Sequence, residues 1–407
     1  MRCGLLGKKL CHSYSPQIHS RLGDYTYELF EKMPEELESF LKHGDFEGLN
    51  VTIPYKKEVL PYCDAFSDCA AELGAVNTIV RRPDGTLIGH NTDYFGFRSM
   101  LKRSCLQVNN KKVLVLGSGG ASATAVAVLK KLGANVVVIS RSGENNYNNL
   151  EKHADAAVIV NATPVGMYPN VGATPIDLDL FLQLEGVLDI IYNPARTQLL
   201  LEAEKKGLIV ENGLWMLVAQ AKESAEWFTG KVISDTKITE IHEALRRQME
   251  NIVLIGMPGC GKSTIGKLIA QKLGKRFVDA DTFIEEQAGM SIPEIFETSG
   301  EEGFRNWETK ILSQLGKESG LVIATGGGCV TRPENYSLLY QNGRIIWIKR
   351  DISTLPIDGR PLSKTNKLEE MYAVRKPKYE SFSDTQVDNN GAVVDTVKQI
   401  LIQEGYA

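Results

Sequence analysis

Three features of the 407 residues predict an α/β chain of more than one domain. Apolar strand-like runs alternate with helical stretches along nearly the whole length, and two of the runs pass straight into glycine-rich turns. The length also exceeds the roughly 250 to 300 residues at which a single hydrophobic core stops growing, so two or three domains are expected. In chain order the strand signals are VLVLG at 113–117, VVVIS at 136–140, AVIVNA at 157–162, VLDIIY at 187–192, NIVLIG at 251–256, LVIATG at 321–326 and RIIWI at 344–348. Between the halves, Ile238, Ile241, Leu245 and Met249 recur at helical spacing as one face of an amphipathic helix, so the expected boundary is a connecting helix near 234–250.

Composition narrows the function class. Apolar and charged fractions of 43% and 24% are those of an ordinary globular chain, which excludes wholesale disorder. A net charge of −4 with scattered Lys and Arg supplies no basic stripe for a nucleic-acid backbone, so small-molecule partners are expected. The opening MRCGLLGKKLCHSYSP has too short an apolar run for a signal peptide, and no membrane-length apolar run follows, so a cytoplasmic setting is expected. The seven cysteines form no CxxC pair and read as reduced packing residues. Oligomeric state is not legible.

In the front half, Gly117, Gly119, Gly120 and Ala121 lie where a strand ends and a helix begins, so backbone amides can approach a pyrophosphate at the positive helix end. The GxGG spacing departs from the commoner GxGxxG. The next strand ends in Ser140, Arg141 and Ser142 rather than in the acid that binds a ribose 2′-hydroxyl, which suits a 2′-phosphate and points to NADP(H).

HSYSP (His12 to Pro16), NVTIPYK (Asn50 to Lys56), GAVNT (Gly74 to Thr78), GHNTDYFG (Gly89 to Gly96), NATPVGM (Asn161 to Met167) and WMLVAQA (Trp215 to Ala221) together make residues 1–233 resemble shikimate dehydrogenase. The resemblance implies a substrate domain over 1–95, completed by helices around 214–233, and a Rossmann NADP-binding domain over 96–213. It implies reduction of 3-dehydroshikimate to shikimate, for which Lys56 is the expected proton donor and Asp93 its charge partner. Ser13, Ser15, Thr52, Asn77, Tyr192 and Gln220 are implied to bind the ring acid, and Asn161, Ala162, Thr163 and Gly213 to lie near the nicotinamide.

In the back half, GMPGCGKST fits a phosphate-binding loop with Gly256, Gly261, Lys262 and Ser263 at its fixed positions and Gly259 and Thr264 within it, directly after a strand and before a helical pattern. Lys262 is expected to reach the β- and γ-phosphoryl oxygens of ATP, and Ser263 to ligate Mg²⁺. FVDADTFIEEQAG, EEGFRNWE, ATGGGCV, GRPLS and RKPKY follow in the order seen in shikimate kinase, which residues 251–407 resemble. That resemblance implies Asp281 as the group taking the acceptor proton and Asp279 as a water-mediated Mg²⁺ ligand. It implies Arg305, Arg375 and Gly327, with Gly326 and Gly328 beside it, around the substrate, and Arg360 over the phosphates. The stretch between RIIWIKR and Arg360 is short and lacks the arginine that the family places over adenine, so weak ATP affinity is expected. The reading is therefore a two-enzyme chain acting in series on one compound. The alternatives are an active reductase carrying an impaired kinase-like module, and an NAD-dependent quinate or shikimate oxidase in front.

Overall fold

The computed structural model describes residues 1–10, 13–355 and 365–406. The chain forms two compact units, Met1–Tyr192 with Thr197–Ala244, and Asn193–Arg196 with Leu245–Ala407. His12 and Arg360, with residues 356–359 of the short stretch before Arg360, lie outside the described residues.

The first unit opens with β1 (Arg2–Gly7), α1 (Ser15–His19), β2 (Thr26–Glu31), α2 (Leu37–His43), β3 (Gly48–Val51), β4 (Ala65–Phe66), α3 (Asp68–Leu73), β5 (Thr78–Arg81), β6 (Leu87–His90) and α4 (Asp93–Ser104). These strands make one six-stranded sheet in the order β2-β1-β3-β5-β6-β4. It is mixed, since β1 runs parallel to β2 and β3 whereas β5 is antiparallel to β3 and β6. Leu6, Leu49 and Ile79 are fully buried and close its core against Leu37 and Leu41 of α2.

The chain continues through β7 (Lys112–Leu116), α5 (Gly120–Lys131), β8 (Asn135–Ile139), β9 (Val158–Asn161), β10 (Gly186–Asp189), α6 (Gln198–Lys205), β11 (Ile209–Glu211) and α7 (Leu214–Thr229). Its sheet is wholly parallel, in the order β11-β10-β9-β7-β8. Val113, Val115, Val158 and Val160 pack on one face and Leu114, Leu116 and Ile159 on the other, which is why these strands read as unbroken apolar runs. The order reverses at β7, and a ligand crevice is expected outside such a switch point. One boundary differs from the sequence expectation: VLDIIY leaves the ladder after Asp189. The Asp189 carboxylate accepts the Ile191 amide at 3.0 Å, so the backbone turns there instead of continuing as strand to Tyr192.

Helix α8 (Thr236–Met249) buries Ile238, Ile241, Leu245 and Met249. The second unit follows as β12 (Asn251–Ile255), α9 (Lys262–Leu273), β13 (Arg276–Asp279), α10 (Ala280–Ala288), α11 (Ile292–Lys317), β14 (Leu321–Ala324), α12 (Glu334–Tyr340), β15 (Gly343–Lys349), α13 (Thr365–Phe382), β16 (Thr385–Asp388) and α14 (Val393–Gln403). Helix α11 kinks at Gly300, whose φ is 67°. The sheet is parallel with β12 at its centre, ordered β13-β14-β12-β15-β16. Its apolar strands are covered on both faces, and the polar turns at the strands' carboxyl ends stay accessible.

Candidate active sites

In the first unit a cavity of ~280 Å³ lies between the mixed sheet and the start of α7. Ser13, Ser15, Thr52, Lys56, Asn77, Asp93, Tyr192 and Gln220 all line it. Asp93 is the first residue of α4, and Lys56 lies in the turn that follows β3, so their side chains meet with Lys56 Nζ 2.5 Å from Asp93 Oδ2. Both are only partly exposed, at 29% and 16%, which strengthens a charge-assisted bond while leaving it reachable from the cavity. Asn77 is oriented by its neighbours: its Oδ1 accepts from the Thr92 amide at 2.7 Å, the Thr92 hydroxyl at 3.2 Å and the Thr78 hydroxyl at 3.1 Å. Its NH₂ is thereby the end it presents to the cavity. Gln220 Nε2 donates to the Leu217 carbonyl at 2.9 Å, and the Tyr192 ring stands edge-on to Tyr14 at 6.2 Å.

Gly213, grouped with the cofactor residues on sequence grounds, lines this same cavity. Asn50, Leu5, Val51, Ile190, Met216 and Leu217 also line it and were not singled out. Asn50 stands inside the quoted NVTIPYK motif, and a polar residue in an otherwise apolar strand was a usable signal. The apolar members carry none beyond helix or strand periodicity.

Gly117, Gly119, Gly120 and Ala121 form the turn between β7 and α5. Gly117 has φ of 104°, a conformation open to glycine, and an added Cβ would meet the Ala162 carbonyl at 3.0 Å. An added Cβ at Gly119 or Gly120 would meet nothing within 4 Å, so the turn leaves an open cradle at the start of the helix. Asn161 and Thr163 sit at the adjoining end of β9, where Asn161 Oδ1 accepts the Thr163 hydroxyl at 2.7 Å and Asn161 Nδ2 donates to the buried Asp189 at 3.1 Å. Burial pushes the Asp189 carboxyl up to about 6, against the pull of Thr197, Ile191 and Asn161. Ser140 and exposed Arg141 follow β8 on the same edge. An open glycine cradle with a guanidinium at the next strand end fits a phosphorylated dinucleotide.

In the second unit a cavity of ~530 Å³ is lined by Gly259, Gly261, Lys262, Ser263, Thr264, Asp279, Asp281, Arg305, Gly327 and Arg375. Gly256 begins the loop at the end of β12, behind the lining, with φ of 142°. Lys262 Nζ donates to the Gly256 and Met257 carbonyls at 2.8 and 3.0 Å. At the foot of the loop Ser263 Oγ donates to Asp279 Oδ2 at 2.5 Å, and Asp279 Oδ1 caps α10 through the Asp281 amide at 3.1 Å. A hydroxyl and a carboxylate in contact beside a phosphate-binding loop are hard oxygen donors suited to Mg²⁺ shared with phosphates.

Deeper in, Arg305 Nη1 donates to the wholly buried Glu308 at 2.7 Å, and Arg375 Nη1 and Tyr379 Oη donate to the Gly327 carbonyl at 3.2 and 2.5 Å. Glu308 and Tyr379 were not anticipated, although Glu308 lies three residues after Arg305 on one helix face. Burial, reinforced by the nearby Glu308 and Asp279 charges, pushes the Asp281 carboxyl up to about 6. Asp281 Oδ1 and Glu308 Oε1 have no protein hydrogen-bond partner, and both lie 2.7 Å from where a Gly326 Cβ would stand. Two buried acceptors aimed at one small space call for a ligand that brings donors.

Comparison with known proteins assigns both halves. Residues 5–79 match the family model "Shikimate dehydrogenase substrate binding domain" and residues 258–404 match "Shikimate kinase". The NADP(+) shikimate dehydrogenase of Caldicellulosiruptor bescii is 38% identical over 267 residues, which cover 58% of this chain and 92% of that protein. A chorismate mutase/shikimate 5-dehydrogenase fusion protein from Clostridium acetobutylicum superposes with a TM-score of 0.57 at 37% identity, covering 60% of this chain and 96% of that one. Shikimate 5-dehydrogenase from Thermus thermophilus, in complex with NADP(H) and shikimate, superposes with a TM-score of 0.55 at 32% identity, covering 60% and 99%.

The packing around Arg305 generates a stability prediction. A Cβ at Gly328 would stand 2.2 Å from both terminal nitrogens of Arg305, so Gly328→Ala must displace the guanidinium from Glu308. The expected cost is about 1–3 kcal/mol of unfolding free energy for the second unit, as for other overpacked cores, read by denaturant unfolding. An unchanged midpoint would show that Arg305 has room to move.

Proposed function

The chain belongs to the shikimate dehydrogenase family and carries a shikimate kinase domain behind it, and from this we propose that its two cavities act in series, reducing 3-dehydroshikimate with NADPH and then phosphorylating the shikimate formed with MgATP. The observation that carries the reading is the presence, on one chain, of two cavities that each hold a charged acid-base group among ring-acid-binding side chains. A cytoplasmic setting accords with the cysteines, which are unpaired wherever described.

In the first cavity the nicotinamide, when bound, supplies the hydride, and Gly117, Gly119, Gly120 and Ala121 would hold the pyrophosphate with Ser140 and Arg141 at the 2′-phosphate. Asn161, Thr163 and Gly213 would border the ring. Lys56 would give a proton to the developing alkoxide, and Asp93 keeps its ammonium aimed. Ser13, Ser15, Thr52, Asn77, Tyr192 and Gln220 offer neutral donors and acceptors for the carboxylate and hydroxyls, fixing which face of the carbonyl meets the hydride.

In the second cavity Ser263 would ligate Mg²⁺ and Asp279 would hold it through water, and the ion would neutralise phosphate charge there. The loop amides and Lys262 would hold the triphosphate. Arg305 and Arg375 would clamp the substrate carboxylate as planar forks, with Glu308 keeping the Arg305 guanidinium in place. Asp281 is placed to accept the proton of the attacking hydroxyl. Arg360 is proposed to close over the phosphates.

Incubating the protein with 3-dehydroshikimate, NADPH and MgATP and identifying products by mass tests the pair: shikimate 3-phosphate is expected, shikimate alone would remove the kinase step, and unchanged ketone would remove the reductase step, leaving added shikimate with MgATP to test the kinase. Lys56→Ala and Asp93→Asn are each expected to lower reductase turnover by about 10²- to 10⁴-fold while phosphorylation of added shikimate proceeds nearly unchanged. Loss of kinase activity in folded Lys56→Ala protein would contradict independent chemistry.

The raised Asp281 carboxyl sets a pH dependence. Its proton-accepting form develops as pH rises through about 6, so kcat/KM for shikimate phosphorylation should fall on the acid side of that value. Asp281→Asn should abolish this limb together with most of the turnover. A limb near the ordinary aspartate value of ~4 that Asp281→Asn abolishes would mean that the carboxyl is not raised in the working complex, and a limb that survives Asp281→Asn would mean that it is not the acceptor.

A further inference from the structure

Ser224 lies one helical turn beyond Gln220 on α7, fully buried and behind the first cavity's lining. Its Oγ accepts from Asn50 Nδ2 at 2.7 Å, donates to the Gln220 carbonyl at 2.9 Å, and lies 3.0 Å from both Thr78 Oγ1 and Thr92 Oγ1. The two threonine hydroxyls are themselves 3.2 Å apart, so three hydroxyls close a triangle. Every partner adjoins a cavity residue. Asn50 precedes Val51 and Thr52 at the end of β3, Thr78 follows Asn77 into β5, Thr92 precedes Asp93 at the start of α4, and Gln220 faces the cavity from α7. Four elements supply the polar wall, and one buried oxygen joins them.

Proton accounting sharpens the point. The Ser224 proton goes to the Gln220 carbonyl and the Thr78 proton to Asn77 Oδ1. The Thr92 proton then has Ser224 Oγ, Asn77 Oδ1 and Gln220 Oε1 within reach, at 3.0, 3.2 and 3.4 Å. Fully satisfied networks of this kind specify one arrangement, because any other leaves a buried group unpaired. Removing the Ser224 hydroxyl leaves Asn50 Nδ2 with more distant acceptors, Thr78 Oγ1 at 3.2 Å and the Asn77 carbonyl at 3.5 Å, and takes away the contacts by which this one oxygen ties α7 to Asn50, Thr78 and Thr92.

We propose that Ser224 is a positioning residue of the reductase, setting the register of α7 against the mixed sheet so that Asn77, Asp93 and Gln220 converge on the substrate. The inference rests on reading this cavity as the shikimate site. It acts on ring-acid binding and leaves the nucleotide turn untouched, since none of its contacts reaches β7, β8 or β9.

The test is steady-state oxidation of shikimate by NADP⁺ in the full chain, followed as NADPH absorbance, with kinase turnover of the same preparations reporting folded protein. Ser224→Ala is expected to raise KM for shikimate about three- to tenfold, the affinity equivalent of one net hydrogen bond, with kcat and KM for NADP⁺ within about twofold. Ser224→Cys, close in size and a weak donor, should fall between the two. An active parent protein whose shikimate KM is unchanged in Ser224→Ala overturns the positioning role alone. So does a loss of all parameters in step with kinase activity, which would mark a purely structural residue. A parent protein that leaves NADP⁺ unreduced overturns the underlying reading and the proposal with it.

Discussion

A phosphate group has to be met by backbone amides that no helix or sheet has already used, and a parallel sheet offers such amides at the carboxyl end of a strand that turns into a helix. Both units are organised around this constraint. The β7–α5 turn and the β12–α9 turn each begin with a glycine at positive φ, at Gly117 and Gly256. Because β7 pairs with β8 and β9, the neighbouring strand ends deliver Ser140, Arg141, Asn161 and Thr163 to the first turn. Because β14 and β13 lie beside β12, their ends deliver Gly326 to Gly328 and the Asp279–Asp281 pair to the second. The choice of strand order thus determines which side chains can share a site.

Burial then determines which of those side chains hold still. A polar group taken out of water is costly unless its partners travel with it, and both sites show partners arriving from other elements. Asp93 on α4 meets Lys56 from the turn after β3, and Arg375 and Tyr379 on α13 meet the Gly327 carbonyl after β14. Like Glu308, Asp281 is an exception. It keeps an unpaired oxygen and a raised pKa beside Glu308, the environment in which a carboxyl becomes a usable base near neutrality.

The sequence was readable where chemistry is local. Gly117, Gly119 and the loop from Gly256 to Ser263 announce themselves by spacing after an apolar run, and the parallel strands are legible because both of their faces are buried. The mixed first sheet was not, since β3 and β6 are short and hold Asn50 and His90 among apolar residues, giving neither alternation nor an unbroken run. Thr78, Thr92 and Ser224 escaped for a different reason: a serine in a helix or a threonine at a strand end has an ordinary local explanation, and their joint role exists only once β3, β5, α4 and α7 are assembled. Asp189 ended its strand early by capping its own chain, a side-chain act that apolar periodicity does not register. Gly213 was assigned by family likeness to the nicotinamide neighbourhood, and its place in the substrate wall depends on the Gly213 amide bonding the Ile191 carbonyl at 3.0 Å.

That same Asp189 has a thermodynamic consequence. One buried carboxylate grips the Asn161 amide beside the nucleotide turn and the Ile191 amide between two residues of the ring-acid cavity's wall, Ile190 and Tyr192, with Thr197 as a third anchor. A buried polar group left without its partner is costly, so losing this one carboxylate would strand polar groups beside both compartments at once, and the two are built on a shared anchor.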